Sequence, residues 1–341
     1  MKKTFGFLIF LFCFHFSFAQ KVEIQTLLKD DISIRALQVY NGKVWYSGTD
    51  SKFGYVNLKD PTDQKQIKLF SKNLQFRTLG QNRKNFFAIN IESPAYFFKI
   101  DKKSLAVQIV FKDTLKTAFY DALKFTDHHY AISFSDPTAN KKLNISTTKD
   151  GGEHWNHCYD CESFPILDSG EAAFAASNSN IASKEETIWI ATGGTKSRIL
   201  KSKDQGSEWQ VYETPLIQGT SSQGIYSIDF FDKNFGIAVG GDYTKQAENI
   251  NNIATTNDGG ETWQVQASGK NGGYKTCVKF RPKSKGKDII AVGDQNIEFS
   301  SDYGKTWTTI SEEKGLFVCE WIDTNILVFA GKDRIVKMTL R

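Results

Sequence analysis

Short apolar segments that end in a turn residue recur along this chain of 341 residues. Seven are apparent, at residues 44–48, 86–90, 130–135, 188–193, 236–240, 289–293 and 326–331. A second β-like run precedes many of them, as at 34–40, 119–125, 225–231 and 277–280. Short apolar runs bounded by turn residues are typical of buried strands. The pattern therefore predicts an all-β protein built from similar units.

Four of these units also contain the pattern Ser/Thr-x-Asp-x-Gly-x-x-Trp. Its aspartates lie 54, 54 and 44 residues apart, a period that indicates a repeat architecture. The motif residues are Asp150, Gly152 and Trp155; Asp204, Gly206 and Trp209; Asp258, Gly260 and Trp263; and Asp302, Gly304 and Trp307.

The chemistry of this pattern is that of a β-hairpin turn. The Asp carboxylate can accept hydrogen bonds from backbone N–H groups of its own turn. The Gly allows a positive φ, and the Trp buries a large ring where the next strand begins. Turn chemistry accounts for Asp and Gly together, so we interpret these aspartates as structural rather than catalytic.

Each unit has room for about four strands, and seven units of about 46 residues account for residues 20–341. Four-stranded sheets arranged around an axis form a β-propeller. The sequence therefore predicts one domain, a seven-bladed β-propeller over 20–341. The last unit offers only three strands, and the β-like run 22–28 has no unit of its own. We expect this N-terminal strand to close the ring as the outer strand of the last blade.

The first nineteen residues have the features of a secretory signal peptide. Two lysines follow Met1, residues 5–16 are almost entirely apolar, and Ser17 and Ala19 place small residues before a cut after Ala19. The apolar run is shorter than the roughly 20 residues that a membrane span requires. We expect an exported chain, in the periplasm or outside the cell, with no membrane span.

Composition and charge exclude several classes of protein. The chain contains 27 Phe, 12 Tyr and 7 Trp, which require burial and exclude a disordered chain. A net charge of +5 does not call for nucleic acid as a partner. The sequence has no G-x-G-x-x-G, no P-loop and no H-E-x-x-H, so no cofactor or metal is predicted.

Cys158 and Cys161 lie close to His154 and His157. A local disulfide fits an exported protein best. A zinc site with the two histidines and a redox-active thiol pair are the alternatives. Two further cysteines fall on predicted inner strands of successive blades and are either a bridge or two buried thiols: Cys277 and Cys319.

Aligning the predicted inner strands places polar residues at similar positions around the axis. They are Arg35, Arg77, Asp121, Glu171, Tyr226 and Lys275. Arginine suits bidentate binding of carboxylates, so the ring is a candidate site for an anionic or sugar-like ligand. The alternative is that these charges pair with one another and link the blades. Asp242 and Tyr243, which follow a Gly-Gly turn, are candidate rim residues.

The four motifs resemble the Asp-box, or BNR repeat, of the sialidase-like propeller superfamily. More narrowly, segments such as 170–177, 224–228 and 236–241 resemble exported bacterial relatives of the photosystem II stability/assembly factor family. This resemblance covers nearly all of 21–341.

The resemblance implies a non-enzymatic binding or assembly-scaffold protein, expected to be monomeric, that engages a protein segment or glycan at its axial face. The alternative is a sialidase-like glycoside hydrolase that uses Asp121, Glu171 and Tyr226 as catalytic residues. Sialidases normally have three arginines in the site, whereas only Arg35 and Arg77 fall on inner strands here.

Overall fold

The computed structural model describes residues 22–158 and 161–341, so the predicted signal peptide lies outside the described residues. The described residues form 28 strands and no helix. Accordingly, they include no helical segment capable of crossing a membrane.

Apart from the first strand, which has 19 residues, the strands of the first described segment have two to seven residues each. In chain order they are β1 (Val22–Tyr40), β2 (Lys43–Gly48), β3 (Lys52–Asn57), β4 (Gln64–Lys68), β5 (Gly80–Gln81), β6 (Asn85–Ile89), β7 (Ala95–Asp101), β8 (Val107–Asp113), β9 (Tyr120–Phe125), β10 (Ala131–Pro137), β11 (Leu143–Thr148) and β12 (Asn156–Cys158).

The second described segment continues the same arrangement. Its strands are β13 (Glu171–Ala172), β14 (Ile181–Lys184), β15 (Thr187–Ala191), β16 (Gly193–Gly194), β17 (Arg198–Ser202), β18 (Gln210–Glu213), β19 (Gln223–Phe230), β20 (Gly236–Asp242), β21 (Ile253–Thr256), β22 (Gln264–Val265), β23 (Cys277–Phe280), β24 (Ile289–Val292), β25 (Ile297–Ser300), β26 (Thr308–Ser311), β27 (Leu316–Trp321) and β28 (Ile326–Leu340).

The described strands form a propeller of six sheets, so the prediction of seven blades is wrong. Four sheets have four strands each, in the orders β5-β6-β7-β8, β12-β11-β10-β9, β14-β15-β17-β18 and β23-β24-β25-β26. Two sheets have six strands each, in the orders β27-β28-β1-β2-β3-β4 and β13-β16-β19-β20-β21-β22. All of the strand pairs within the sheets are antiparallel, as expected for strands joined by hairpins.

The long strands β1 and β28 explain the missing seventh sheet. Residues 22–29 of β1 pair with 334–340 of β28, whereas 34–40 of the same strand pair with β2. The first and last repeats therefore share one sheet. The expectation that 22–28 complete a separate seventh blade is also wrong: these residues do pair with the last strand of the chain, but in the sheet that the first and last repeats share.

The Asp-box turns all use the same hydrogen bonds. In the third turn, the Thr256 hydroxyl donates to Asp258 Oδ1 at 2.8 Å and accepts from the Gly260 N–H at 2.9 Å. Asp258 Oδ1 also accepts the Thr262 N–H at 2.9 Å. Although burial opposes it, hydrogen bonds from Thr262 hold the pKa of Asp258 at about 2. Equivalent bonds occur at Asp150, Asp204 and Asp302.

The tryptophans of these turns pack between neighbouring sheets. Indole N–H groups of Trp209, Trp263 and Trp307 donate to the carbonyl of the Gly in the same turn. The apolar cores lie between adjacent sheets, where for example Trp189 stacks on Phe230 with ring centroids 3.8 Å apart. Apolar side chains fill the spaces between sheets. Polar residues of the inner strands lie around the axis.

Candidate functional site

A cavity of about 650 Å³ lies at the axis, where inner strands and the loops at their ends meet. We call it the arginine cavity. Its lining residues come from several sheets: Arg35, Arg77, Phe119, Asp136, residues 172–176, Ser221, Tyr226, Tyr243, Gln246, Tyr274, Thr276, Asp294 and Phe317. This volume is within the range of typical ligand pockets.

Two arginines dominate the charge of this cavity. Arg35, on β1, donates to the carbonyl of Ala176 at 3.1 Å and lies over the Phe317 ring at 4.1 Å. Arg77, between β4 and β5, donates to the carbonyl of Ala175 at 3.4 Å. Neither forms an ion pair with a carboxylate of the described residues.

The two guanidinium groups also affect each other. Burial, and then the charge of Arg77, lower the pKa of Arg35 to about 10. Burial lowers the pKa of Arg77 as well, against the opposing charge of Asp121. A guanidinium has five N–H donors, so each arginine retains donors that can face an occupant of the cavity. Two neighbouring cations without carboxylate partners favour an anionic group there.

Three acidic side chains accompany the arginines: Asp136 and Asp294 on the wall and Asp121 behind it. Asp121 is fully buried behind the cavity wall, and no donor of the described residues reaches full hydrogen-bond geometry with either carboxylate oxygen. Burial, and then Asp136, raise the pKa of Asp121 well above its ordinary value, while Arg77 and a weak contact with the Ala175 amide oppose this. Burial also raises the pKa of Asp136, on the wall, to about 6.

This acid pair therefore holds a proton near neutral pH, because two carboxylates close together do not both ionise readily. The pair does not cancel the charge of the two arginines. Asp294, also on the wall, is a further acidic group near Arg35, and its charge opposes the lowering of the Arg35 pKa.

Aromatic side chains form much of the remaining wall. Tyr226 stacks on Phe174 with ring centroids 4.2 Å apart and meets Tyr274 edge to face at 4.8 Å. Tyr243 is 51% exposed at the rim. The cavity can thus contact apolar side chains as well as anionic groups.

Tyr226 is poorly suited to act as a nucleophile. Its hydroxyl donates to the carbonyl of Ser222 at 2.7 Å. Burial, and then the neighbouring Tyr274, raise the pKa of Tyr226 far above its ordinary value. The phenol therefore keeps its proton.

Two residues of the predicted axial ring do not line the cavity. Glu171 accepts a hydrogen bond from Arg198 Nε at 3.0 Å and one from the Thr192 hydroxyl at 2.6 Å. Lys275 pairs with Glu298 at 2.8 Å, and both side chains are fully buried. The structure thus brings Arg35, Arg77 and Tyr226 together on the wall with Asp121 behind them, while Glu171 and Lys275 complete ion pairs elsewhere.

Sequence reasoning missed several wall residues. Tyr274 directly precedes Lys275, and neighbouring residues of extended chain point to opposite faces, so a shift of one position exchanges the two. Asp136 follows the predicted run 130–135, and its position at a strand end was the available signal. Asp294 follows the predicted run 289–293 in the same way, whereas Phe317 carries no comparable signal. Asp242 accepts both the N–H and the hydroxyl of Thr244, as a turn residue does.

Cys158 and Cys161 are joined by a disulfide. His154 Nδ1 lies 2.7 Å from Asp150 Oδ2, and His157 Nδ1 lies 2.7 Å from the Ser146 hydroxyl, so both imidazoles contact other groups. Within 22–158 and 161–341, no group of three or more His, Cys, Asp or Glu side chains is arranged to hold a metal ion.

No family model matches the chain. Among curated proteins, the chain is similar to the photosystem II assembly lipoprotein Ycf48 of Synechococcus sp. (strain CC9902). The two are 27% identical over 179 residues, which are 51% of this chain and 46% of the relative. The match thus spans less than half the length of that relative.

Solved structures share the fold over nearly the whole chain. A structure described as YCF48 bound to D1 peptide superposes with a TM-score of 0.65 and 12% identity, covering 94% of this chain and 97% of the other. YCF48 from Cyanidioschyzon merolae gives 0.64 and 13%, covering 93% and 98%. The RRP9 WD40 repeats give 0.64 and 11%, covering 93% and 97%. These likenesses establish a β-propeller fold and do not identify its ligand.

Proposed function

We propose that this chain is a non-enzymatic binding propeller that holds a segment of another protein in the arginine cavity. One observation carries the proposal: Arg35 and Arg77 lie side by side on the wall, without carboxylate partners among the described residues. The solved neighbour described as YCF48 bound to D1 peptide and the curated assembly lipoprotein support a protein segment as ligand. The four Asp-box turns support grouping this chain with the Asp-box propellers.

The cavity favours a segment with a particular chemistry. Its arginines suit a carboxylate, which a guanidinium binds through paired N–H donors. Tyr226, Tyr274 and Phe317 offer ring faces to an apolar side chain beside that carboxylate. An extended acidic segment with interspersed apolar residues matches both features. A glycan with a carboxylate fits the arginines but uses the apolar surface less well.

The hydrolase alternative has no specific observation in its favour. Glycoside hydrolysis by a Tyr nucleophile requires a phenol that loses its proton, and two-carboxylate mechanisms require two acids facing one sugar. Tyr226 keeps its proton, and Glu171 is bound to Arg198. Binding without turnover accounts for the site more simply.

We further propose that the chain is exported, on the basis of the signal-peptide pattern over 1–19. An exported scaffold would meet its partner segment in the cell envelope or beyond it. A monomer is sufficient for this function, because one chain forms the whole arginine cavity.

The test measures binding to an array of fluorescent eight-residue peptides. Half of them combine Asp or Glu with Leu or Phe, and the matched half carry Lys in place of each acid. We expect the protein to prefer the acidic set and the double variant Arg35→Gln, Arg77→Gln to lose at least tenfold in affinity. Arg83→Gln, which changes an exposed arginine outside the cavity, is the matched control and should bind normally.

Circular dichroism of each variant checks that the fold is retained. Equal binding of the acidic and Lys peptides would contradict the proposal. So would a double variant that is folded and binds as tightly as the parent chain.

A further inference from the structure

Two free cysteines meet at the axis, outside the arginine cavity. Cys277 lies on β23 and Cys319 on β27, and their sulfur atoms are 3.8 Å apart. Both side chains are fully buried. β23 pairs with β24 and β27 with β28, so the thiols meet where two different sheets adjoin, with no backbone ladder between their strands.

A second axial cavity gives small molecules a route to this pair. It has a volume of about 460 Å³, and its wall includes Cys319 together with Lys124, Asn178, Lys279 and Glu320. A polar cavity of this size holds water and admits a small polar oxidant. Burial from bulk solvent therefore does not isolate Cys319, and the sulfur of Cys277, which does not line the cavity itself, lies 3.8 Å from that of Cys319.

The surroundings of the two sulfurs differ in a way that suits thiol chemistry. Burial by itself raises the pKa of Cys277, but a hydrogen bond from the Cys319 thiol and the charge of Lys279 lower it to about 7. Burial, and then the contact with Cys277, raise the pKa of Cys319 well above its ordinary value. Cys277 is thus a nucleophile near neutral pH, and Cys319 remains a thiol in contact with it.

We propose that Cys277 and Cys319 are a redox site that closes to a disulfide on reaction with a peroxide. The Cys277 thiolate attacks one peroxide oxygen, the O–O bond breaks, and Cys277 becomes a sulfenic acid as hydroxide leaves. The Cys319 sulfur then attacks the Cys277 sulfur and displaces a second hydroxide. Protons from the two thiols convert both hydroxides to water, so two thiols and one hydrogen peroxide give one disulfide and two waters.

The two sulfur atoms need to move only a short distance to form the disulfide. The sulfur atoms approach from 3.8 Å to the roughly 2.05 Å of a disulfide. Small rotations of both side chains and a slight approach of two strands that lack a shared ladder accommodate this change. The bond would enclose a loop with a sequence separation of 42, which restricts the unfolded chain.

The crosslink would also reach the wall of the arginine cavity. The Thr276 hydroxyl, next to Cys277, donates to the carbonyl of Phe317 at 2.6 Å. Phe317 lies two residues before Cys319, and its ring supports Arg35. Oxidation therefore tethers β27, whose Phe317 ring lies under Arg35, to β23, and this connection exists whether or not the proposed peptide ligand is correct.

The experiment exposes the reduced, purified protein to hydrogen peroxide, stops the reaction with catalase, and then unfolds the chain in iodoacetamide. Trypsin releases Cys277 in the peptide 276–279 and Cys319 in the peptide 315–332, while Cys158 and Cys161 share a different peptide. Mass spectrometry should find 276–279 joined to 315–332, with a loss of two hydrogens and no alkylation at either cysteine.

The oxidised protein should melt several degrees above the reduced protein, and dithiothreitol should reverse the change. The single variants Cys277→Ser and Cys319→Ser should show neither the joined peptide nor the rise in melting temperature. Full alkylation of both cysteines after a peroxide dose that oxidises the unfolded chain would overturn the proposal. Separate sulfinic acids without a joined peptide would also overturn it. Both readouts are independent of peptide binding, so failure here and failure of the proposed function can be distinguished.

Discussion

The acid pair behind the arginines predicts an unusual dependence of stability on pH, which Asp136→Asn should remove. Burial raises the pKa of Asp136 from 3.8 to about 6 in the folded chain. Between these values the folded state binds more protons than the unfolded state, so stability falls as pH rises. This contribution is fully present below about pH 4 and is lost as pH passes through about 6.

The size of the effect follows from the shift. Each pKa unit corresponds to about 1.4 kcal/mol, so a shift of about two units costs about 3 kcal/mol once the carboxyl is ionised. About 2 kcal/mol of this change falls between pH 4.5 and 7.5. Asn keeps the shape of the side chain and carries no charge. It also relieves Asp121, because Asp136 is the neighbouring acid that raises its pKa.

Urea unfolding, followed by tryptophan fluorescence at several pH values from 4.5 to 7.5, measures the difference between the two chains. The quantity to compare is the difference in the free energy of unfolding between Asp136→Asn and the parent chain. Burial also lowers the pKa of His157, which makes stability rise with pH in both chains, and this contribution cancels in the difference. Asp136→Asn should gain about 2 kcal/mol over the parent chain as pH rises across this range. A constant difference, or one that shrinks toward pH 7.5, would refute the buried acid pair.

Three further substitutions test the frame of the fold by thermal or urea unfolding. Lys275→Met should cost about 3–5 kcal/mol of stability, because it leaves the Glu298 carboxylate buried without its cation. The double change Lys275→Met, Glu298→Leu should recover most of that loss. Equal losses of stability in the single and double variants would contradict a buried ion pair. Thr256→Val removes one Asp-box hydroxyl with three hydrogen bonds and should cost about 2 kcal/mol, while an unchanged midpoint would exclude a structural role for the turn. Gly152→Ala places a methyl group 2.3 Å from an aromatic carbon at a φ of +90° and should cost about 3 kcal/mol. Gly42→Ala, also at positive φ but in open space, is its control and should cost about 1 kcal/mol.

The propeller could be predicted from the sequence because its signals are local. Strands of four to eight residues and the Asp-box turns each depend on neighbours in the chain, as the bonds around Asp258 illustrate. The number of sheets depends instead on pairing between residues 22–29 and 334–340. No local pattern specifies that β1 and β28 each continue from one repeat into the next.

The site could be predicted only in part for a related reason. Arg35, Arg77 and Tyr226 point into the cavity, but which residue of a strand faces the axis changes with a shift of one position. Tyr274 and Lys275 exchange roles in this way. Glu171 lies on β13 and is bound by Arg198 on β17, a strand of a different sheet, so this ion pair depends on how two sheets adjoin.

The pairing of residues 22–29 with 334–340 has a consequence for how the chain folds during synthesis. These partners are separated by almost the whole described sequence, so the first strand leaves the ribosome long before its partner exists. Until then, its N–H and C=O groups form an open edge that other strands could join. Formation of this sheet is therefore a late, post-translational event with a large loop-closure cost. A chaperone that shields the early edge would raise the yield of native protein most at this step.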